Sequence, residues 1–154
     1  IYREDHLLLA VPKDFSINQK LADYQLSAEQ ILHHTFLEDG TPSVPLHLFK
    51  DETFILMKPN NDTGIRAREL FQISQFEPNT VLEMDQQMTS YNITCSGMGI
   101  SFIGDVVLEK MPPNANVIYY KLPSETSSRN VCFYWKKGRY VSRTMQEFLK
   151  LAVG

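Results

Sequence analysis

The sequence holds only two cysteines, Cys95 and Cys132, each in an apolar segment and neither near a second Cys or a His at metal-ligand spacing. That excludes a disulfide scaffold and suits a reducing compartment. Basic residues are not in excess either: a formal net charge of -3 and a pI near 5.8 leave no cationic footprint for gripping nucleic acid. No apolar run approaches the roughly 20 residues that a membrane-spanning helix needs. The opening "IYREDHLLLAVPKDF" carries neither a basic leader nor a small-residue cleavage site. The expected location is the cytoplasm, with no membrane partner.

Catalytic arrangements are equally scarce. The four histidines, His6, His33, His34 and His47, contain no i, i+4 pair for a metal on one helix. Ser96 sits in "CSGMG", which lacks the G-x-S-x-G elbow and also the Gly-Lys-Ser/Thr ending of a phosphate loop. Cys95 has no basic neighbour in sequence and reads as a core thiol. No catalytic residue, metal or cofactor is therefore expected, and the chain is not read as an enzyme.

What is present is enough to fold: 154 residues, 43% hydrophobic and 21% charged. The chain opens without Met on a residue already entering a strand, which reads as a piece of a longer protein. "HLLLAVPKDF" is a continuous apolar run ended by Pro12, the pattern of a strand buried on both faces in a parallel sheet. Ser27 with Gln30 forms a capping box opening a helix, and residues 39–45 read as a solvated loop. "TFILMK" is a second buried strand. Asn61 or Asp62 can then cap a helix whose Ala67, Leu70, Phe71 and Ser74 line one face. "TVLEM" and "GISFI" are further strands. The helix between them turns Met88, Tyr91 or Asn92, and Cys95 inward. Strand and helix alternate, which predicts an α/β sheet with crossover helices. Near the end, "NVIYYKL" and "NVCFYWKK" read as adjacent strands, followed by an amphipathic helix with Met145, Phe148, Leu149 and Ala152 inward.

Open parallel sheets bind ligands where strand carboxyl ends meet helix N-termini. Two loops have that form: "KPNNDTG", with Asn60, Asn61, Asp62 and Thr63, and "EMDQQMT", with Gln86 and Gln87. Taken alone, each reads first as an ordinary helix start. In "CSGMG", Gly97 is placed as a left-handed C-cap, and Gly99 implies a tight crossing of chain between packed elements.

"EDHLLLAVPKDF", "PLHLFKDETFILMKPNNDTGIRARELF", "MTSYNITCSGMGISFIGDVV" and "NVCFYWKKGRYVSRTMQEFLKLA", in that order, resemble the effector-binding domain of LysR-type transcriptional regulators. The resemblance implies a type 2 periplasmic-binding-protein-like α/β domain of two lobes joined by crossing strands, with a small inducer between them. It places the second lobe at about 12–103, with 1–11 and 104–154 as crossing strand and first-lobe elements, "GISFI" being the return strand. The winged helix-turn-helix would lie outside this chain, so DNA is a partner only through that absent segment. A dimeric or tetrameric parent is implied. The resemblance raises Asn60, Asn61, Asp62 and Thr63, and less clearly Gln86 and Gln87, as contacts to a small effector, an anion being one type that helix N-termini accommodate. A solute-binding transport protein, or a small α/β enzyme, are the alternatives.

Overall fold

The computed structural model describes residues 2–153. In chain order its elements are β1 (Arg3–Pro12), β2 (Gln25–Leu26), α1 (Ala28–Leu32), β3 (Thr53–Met57), α2 (Asp62–Ile73), β4 (Asn79–Met84) and α3 (Gln87–Cys95). Then follow β5 (Ser101–Gly104), α4 (Asp105–Leu108), β6 (Val117–Lys121), α5 (Ser124–Ser127), β7 (Ser128–Val131) and α6 (Arg143–Val153). The chain divides into two compact units, His6–Ser128 and Ile1–Asp5 with Arg129–Gly154.

In the larger unit β1 is the central strand, and its side chains alternate between two cores. Leu7, Leu9 and Val11 pack with Phe54, Leu56, Leu70, Phe71 and Phe102, so α2 covers that face. Leu8 and Ala10 pack with Ile31, Phe36, Tyr91, Ile103 and Tyr119, so α1 and α3 cover the other. The continuous apolar run is thus buried on both faces, as expected. Its neighbours are not parallel to it: β5 and β6 both pair with β1 antiparallel. An apolar run reports two covered faces and carries no information on strand direction.

The parallel part of the sheet lies at the other end. β3 and β4 pair parallel, with α2 as their crossover, and a parallel bridge joins Phe54 to Ile100 at the start of β5. β3, β4 and β5 therefore point their carboxyl ends the same way. Local rules account for the helix ends around them. Ser27 and Gln30 form the reciprocal capping box, at 3.1 and 2.9 Å. Asn61 caps α2 by accepting from the Thr63 amide at 2.9 Å. Gly97 takes φ 90 after the C-cap of α3.

Several expectations change. α3 buries Ser90, Tyr91 and Thr94 rather than Met88 or Asn92, which are exposed, while Cys95 is half-buried. Polar residues can face inward here because Thr94 Oγ1 donates to Ser101 Oγ at 2.8 Å and Ser90 Oγ donates to the Ile55 carbonyl at 3.4 Å. Ser74 is the C-cap of α2 rather than part of its buried face. Val44, in the loop expected to be solvated, is fully buried. β5 does not leave the unit: it pairs with β1, and Gly99 is tight because an added Cβ would lie 3.1 Å from Ile55 Cγ1 and 3.2 Å from the Thr53 carbonyl. The compact unit accordingly spans His6–Ser128, wider than 12–103, and the strand that passes out of it is β7.

In the smaller unit, β7 pairs with β1 and ends at Val131, whose carbonyl accepts from the Tyr2 amide at 2.7 Å. It covers only the beginning of the expected "NVCFYWKK" strand, and β6 pairs with β1 and β2 instead of lying beside it. Asp5 accepts from Arg129 Nε at 2.7 Å. On α6, Leu149 and Ala152 are half-buried, but Met145 and Phe148 stay exposed. Phe148 meets the Phe133 ring edge-on at 5.7 Å.

Candidate functional site

Three strand ends converge in the larger unit: β3 runs into the "KPNND" turn and α2, β4 runs into α3, and β5 runs into α4. Helices begin at all three, so first-turn amides that lack intrahelical partners gather there. The turns are braced by Lys58 Nζ on Asp85 Oδ2 at 2.8 Å and by the Lys58 amide donating to the Met84 carbonyl at 3.0 Å. Gly64 admits the close approach: a Cβ at that position would fall 2.3 Å from the Lys58 carbonyl oxygen.

Of the six residues singled out in sequence, the structure brings two together. Gln87 Nε2 donates to Thr63 Oγ1 at 3.0 Å, and Gln87 Oε1 accepts from the Gly104 amide at 3.4 Å. Both ends of the Gln87 amide are thereby engaged, which fixes its orientation. Thr63 Oγ1 accepts from Gln87, so its own proton is left to donate. Asn61 and Asp62 have structural partners: Asn61 is the helix cap, and Asp62 pairs with Arg66 Nε and Nη2, each at 2.9 Å. Arg66 is itself only 6% exposed and reaches the Ser127 carbonyl through Nη1 at 2.5 Å, tying α5 to α2. Asn60 is exposed at the turn, and Gln86 is an exposed N-cap without a side-chain cap bond.

Sequence reasoning missed the charged cluster directly behind Gly104. Asp105 is 0% exposed, and its carboxylate accepts from the His6 amide, from the Val106 amide at 2.7 Å, and pairs with His6 Nδ1 at 3.0 Å. His34 Nδ1 lies 3.6 Å from the same carboxylate, and His34 Nε2 lies 3.0 Å from Glu109. Burial alone pushes the Asp105 carboxyl up, but the side-chain and backbone hydrogen bonds and charge of His6, with the Val106 amide, outweigh it and hold the group below the usual carboxylate range. His6 and Asp105 are 99 residues apart, so no spacing rule could pair them. Among the described residues no cluster of His, Cys, Asp or Glu has the form of a metal site, and no helix is long and apolar enough to cross a membrane.

A family model described as the LysR substrate binding domain matches residues 2–153. An uncharacterized HTH-type transcriptional regulator of Bacillus subtilis strain 168, YcgK, is 30% identical over 148 residues, covering 95% of this chain and 43% of the relative. The regulatory domain of Synechocystis PCC6803 CcmR in complex with 2-PG superposes with a TM-score of 0.69 at 16% identity, covering 99% of this chain and 63% of that one. The effector binding domain of QuiR in complex with shikimate gives 0.60 at 17% identity, covering 97% and 60%. At these identities the structural likenesses establish a shared fold. The chain spans less than half the length of YcgK, 43% of it.

Proposed function

The chain belongs to the LysR substrate-binding-domain family, and from that premise we propose that it is the ligand-sensing part of a cytoplasmic transcriptional regulator whose DNA-binding segment and oligomeric contacts lie in the whole protein. The effector is a small molecule received at the convergent ends of β3, β4 and β5. Thr63 donates its hydroxyl proton to it, Gln87 holds Thr63 in place, and the first-turn amides of α3, left without a side-chain cap, supply further donors suited to an anionic or polar group. Asn60 and Gln86 are exposed beside these groups and would contact the outer part of the ligand. Asn61 and Asp62 act indirectly, by fixing the start of α2.

The observation that carries this reading is the hydrogen bond from Gln87 to Thr63, which joins two helix starts to the end of β5. The complexes of CcmR with 2-PG and QuiR with shikimate support the class of ligand. Signalling would be a population shift, the effector favouring one arrangement of the regulator by its differential affinity. The family match favours this reading over the transport and enzyme alternatives.

The test is a metabolite screen by thermal shift on the intact regulator, followed by Thr63→Val. Loss of one donor should weaken effector binding by roughly tenfold, beside a stability loss of about 1 kcal/mol from the Gln87 bond that the same change removes, and a promoter reporter should show the same displacement of the dose curve. Unchanged binding and induction in Thr63→Val would remove Thr63 from the site.

A further inference from the structure

Within His6–Ser128 a cavity of about 160 Å³ opens between α1 and the turn after α4. Ile31 and Leu32 form one wall, Leu108 and Met111 the other, and Tyr119 the floor. The walls cannot readily collapse on each other. The Ser27–Gln30 box anchors α1 at its start, and His34, just beyond its end, is pinned to Glu109 at 3.0 Å on the α4 side. Pro112 and Pro113 stiffen the turn that follows.

The floor looks polar in sequence and is not. The Tyr119 hydroxyl is engaged by the Tyr91 hydroxyl at 2.5 Å, so the cavity meets ring carbon. Burial pushes the Tyr119 phenol up, so it stays neutral. Among the described lining residues Glu29 is the one charged group, and it stands at the exposed rim. None of Thr63, Gln87 and Gly104 lines this space.

We propose that this cavity is a second ligand site, separate from the effector cradle, for a single-ring aromatic molecule that is neutral or cationic. The volume carries the size: an apolar cavity of about 150 Å³ holds one benzene ring. The lining carries the chemistry: carbon walls satisfy the ring, with no donor for an oxyanion, and the Glu29 carboxylate at the mouth disfavours a negative substituent while favouring an ammonium.

The experiment uses benzyl alcohol, benzylamine and benzoate as probes with the intact protein, followed by ligand-observed NMR titration. Benzyl alcohol and benzylamine should saturate in the millimolar range, with benzoate at least about threefold weaker. Ala28→Phe and Leu32→Trp, both at exposed positions around the cavity, should each weaken the two binders by about tenfold or more without loss of folding. Glu29→Lys should bring benzoate up to the level of benzyl alcohol. No saturation, equal binding of benzoate and benzylamine, or binding that survives both filling variants would overturn the proposal. So would concentration-dependent self-association abolished by Leu32→Trp, which would assign the cavity to a contact between copies.

Discussion

Gly64→Ala provides a test in which the sign of the effect separates two arguments. Gly64 lies inside α2, where helix propensity alone makes alanine the better residue by up to about 1 kcal/mol. The structure opposes this, because the new methyl would fall 2.3 Å from the Lys58 carbonyl oxygen and 2.7 Å from that of Met57. Both contacts are backbone at the end of β3, so the start of α2 must retreat by on the order of 1 Å, an overpacking cost of about 1–3 kcal/mol. That retreat also stretches the 3.0 Å bond between Gln87 and Thr63, worth about 1 kcal/mol. The net expectation is a loss of about 2 kcal/mol, a factor of roughly 30 in the unfolding equilibrium, measured by urea denaturation. Gly40→Ala is the control, since an added Cβ there meets nothing within 4 Å, and it should stay within about 0.5 kcal/mol of wild type. A Gly64→Ala protein as stable as wild type, or more so, would refute the steric argument.

Asp105→Asn should destabilise the protein by about 3 kcal/mol at neutral pH, because the buried His6 pair loses its charge partner. The folded Asp105 carboxyl sits below its unfolded value of about 3.9, so its stabilisation is present above that value and lost as pH falls through the folded one. Urea midpoints taken from pH 7 down to pH 3 should therefore show the gap between wild type and Asp105→Asn narrowing at the acid end, and a constant gap would contradict the assignment. Arg66→Met should cost about 2–3 kcal/mol through loss of charge-assisted bonds to Asp62 and the Ser127 carbonyl. Hydrogen exchange should report faster opening of residues 124–127 in that variant, and a uniform change across the larger unit would argue against a local tie.

Features governed by neighbours within a few residues were legible in the sequence. The Ser27–Gln30 box, the Asn61 cap and the left-handed Gly97 all follow from short-range hydrogen bonding and φ preference. The two-faced burial of β1 followed from its unbroken apolar run, but the antiparallel pairing with β5 and β6 did not, because direction is set by topology. On α3 the spacing places Tyr91 inward, as found, but it also points to Met88, which is exposed, whereas hydrogen bonds allow Ser90 and Thr94 to face the core. Thr63 and Gln87 were each noticed as helix-start residues, but their contact across 24 positions required the fold. His6 and Asp105 pair across 99 positions, a separation that leaves no local trace in the sequence.

The places where the chain passes from one compact unit to the other have a practical consequence. The first passage falls between Asp5 and His6, inside β1, and the second between Ser128 and Arg129, inside β7. Domain borders usually run through exposed, loosely held chain that proteases nick and recombination exploits. Here both borders fall within strands, and the amides beside them are engaged: that of His6 donates to the buried Asp105 carboxylate and that of Ser128 to the Ser124 carbonyl. Limited digestion should not liberate the two parts, and a gene fusion cut at either point would sever a strand.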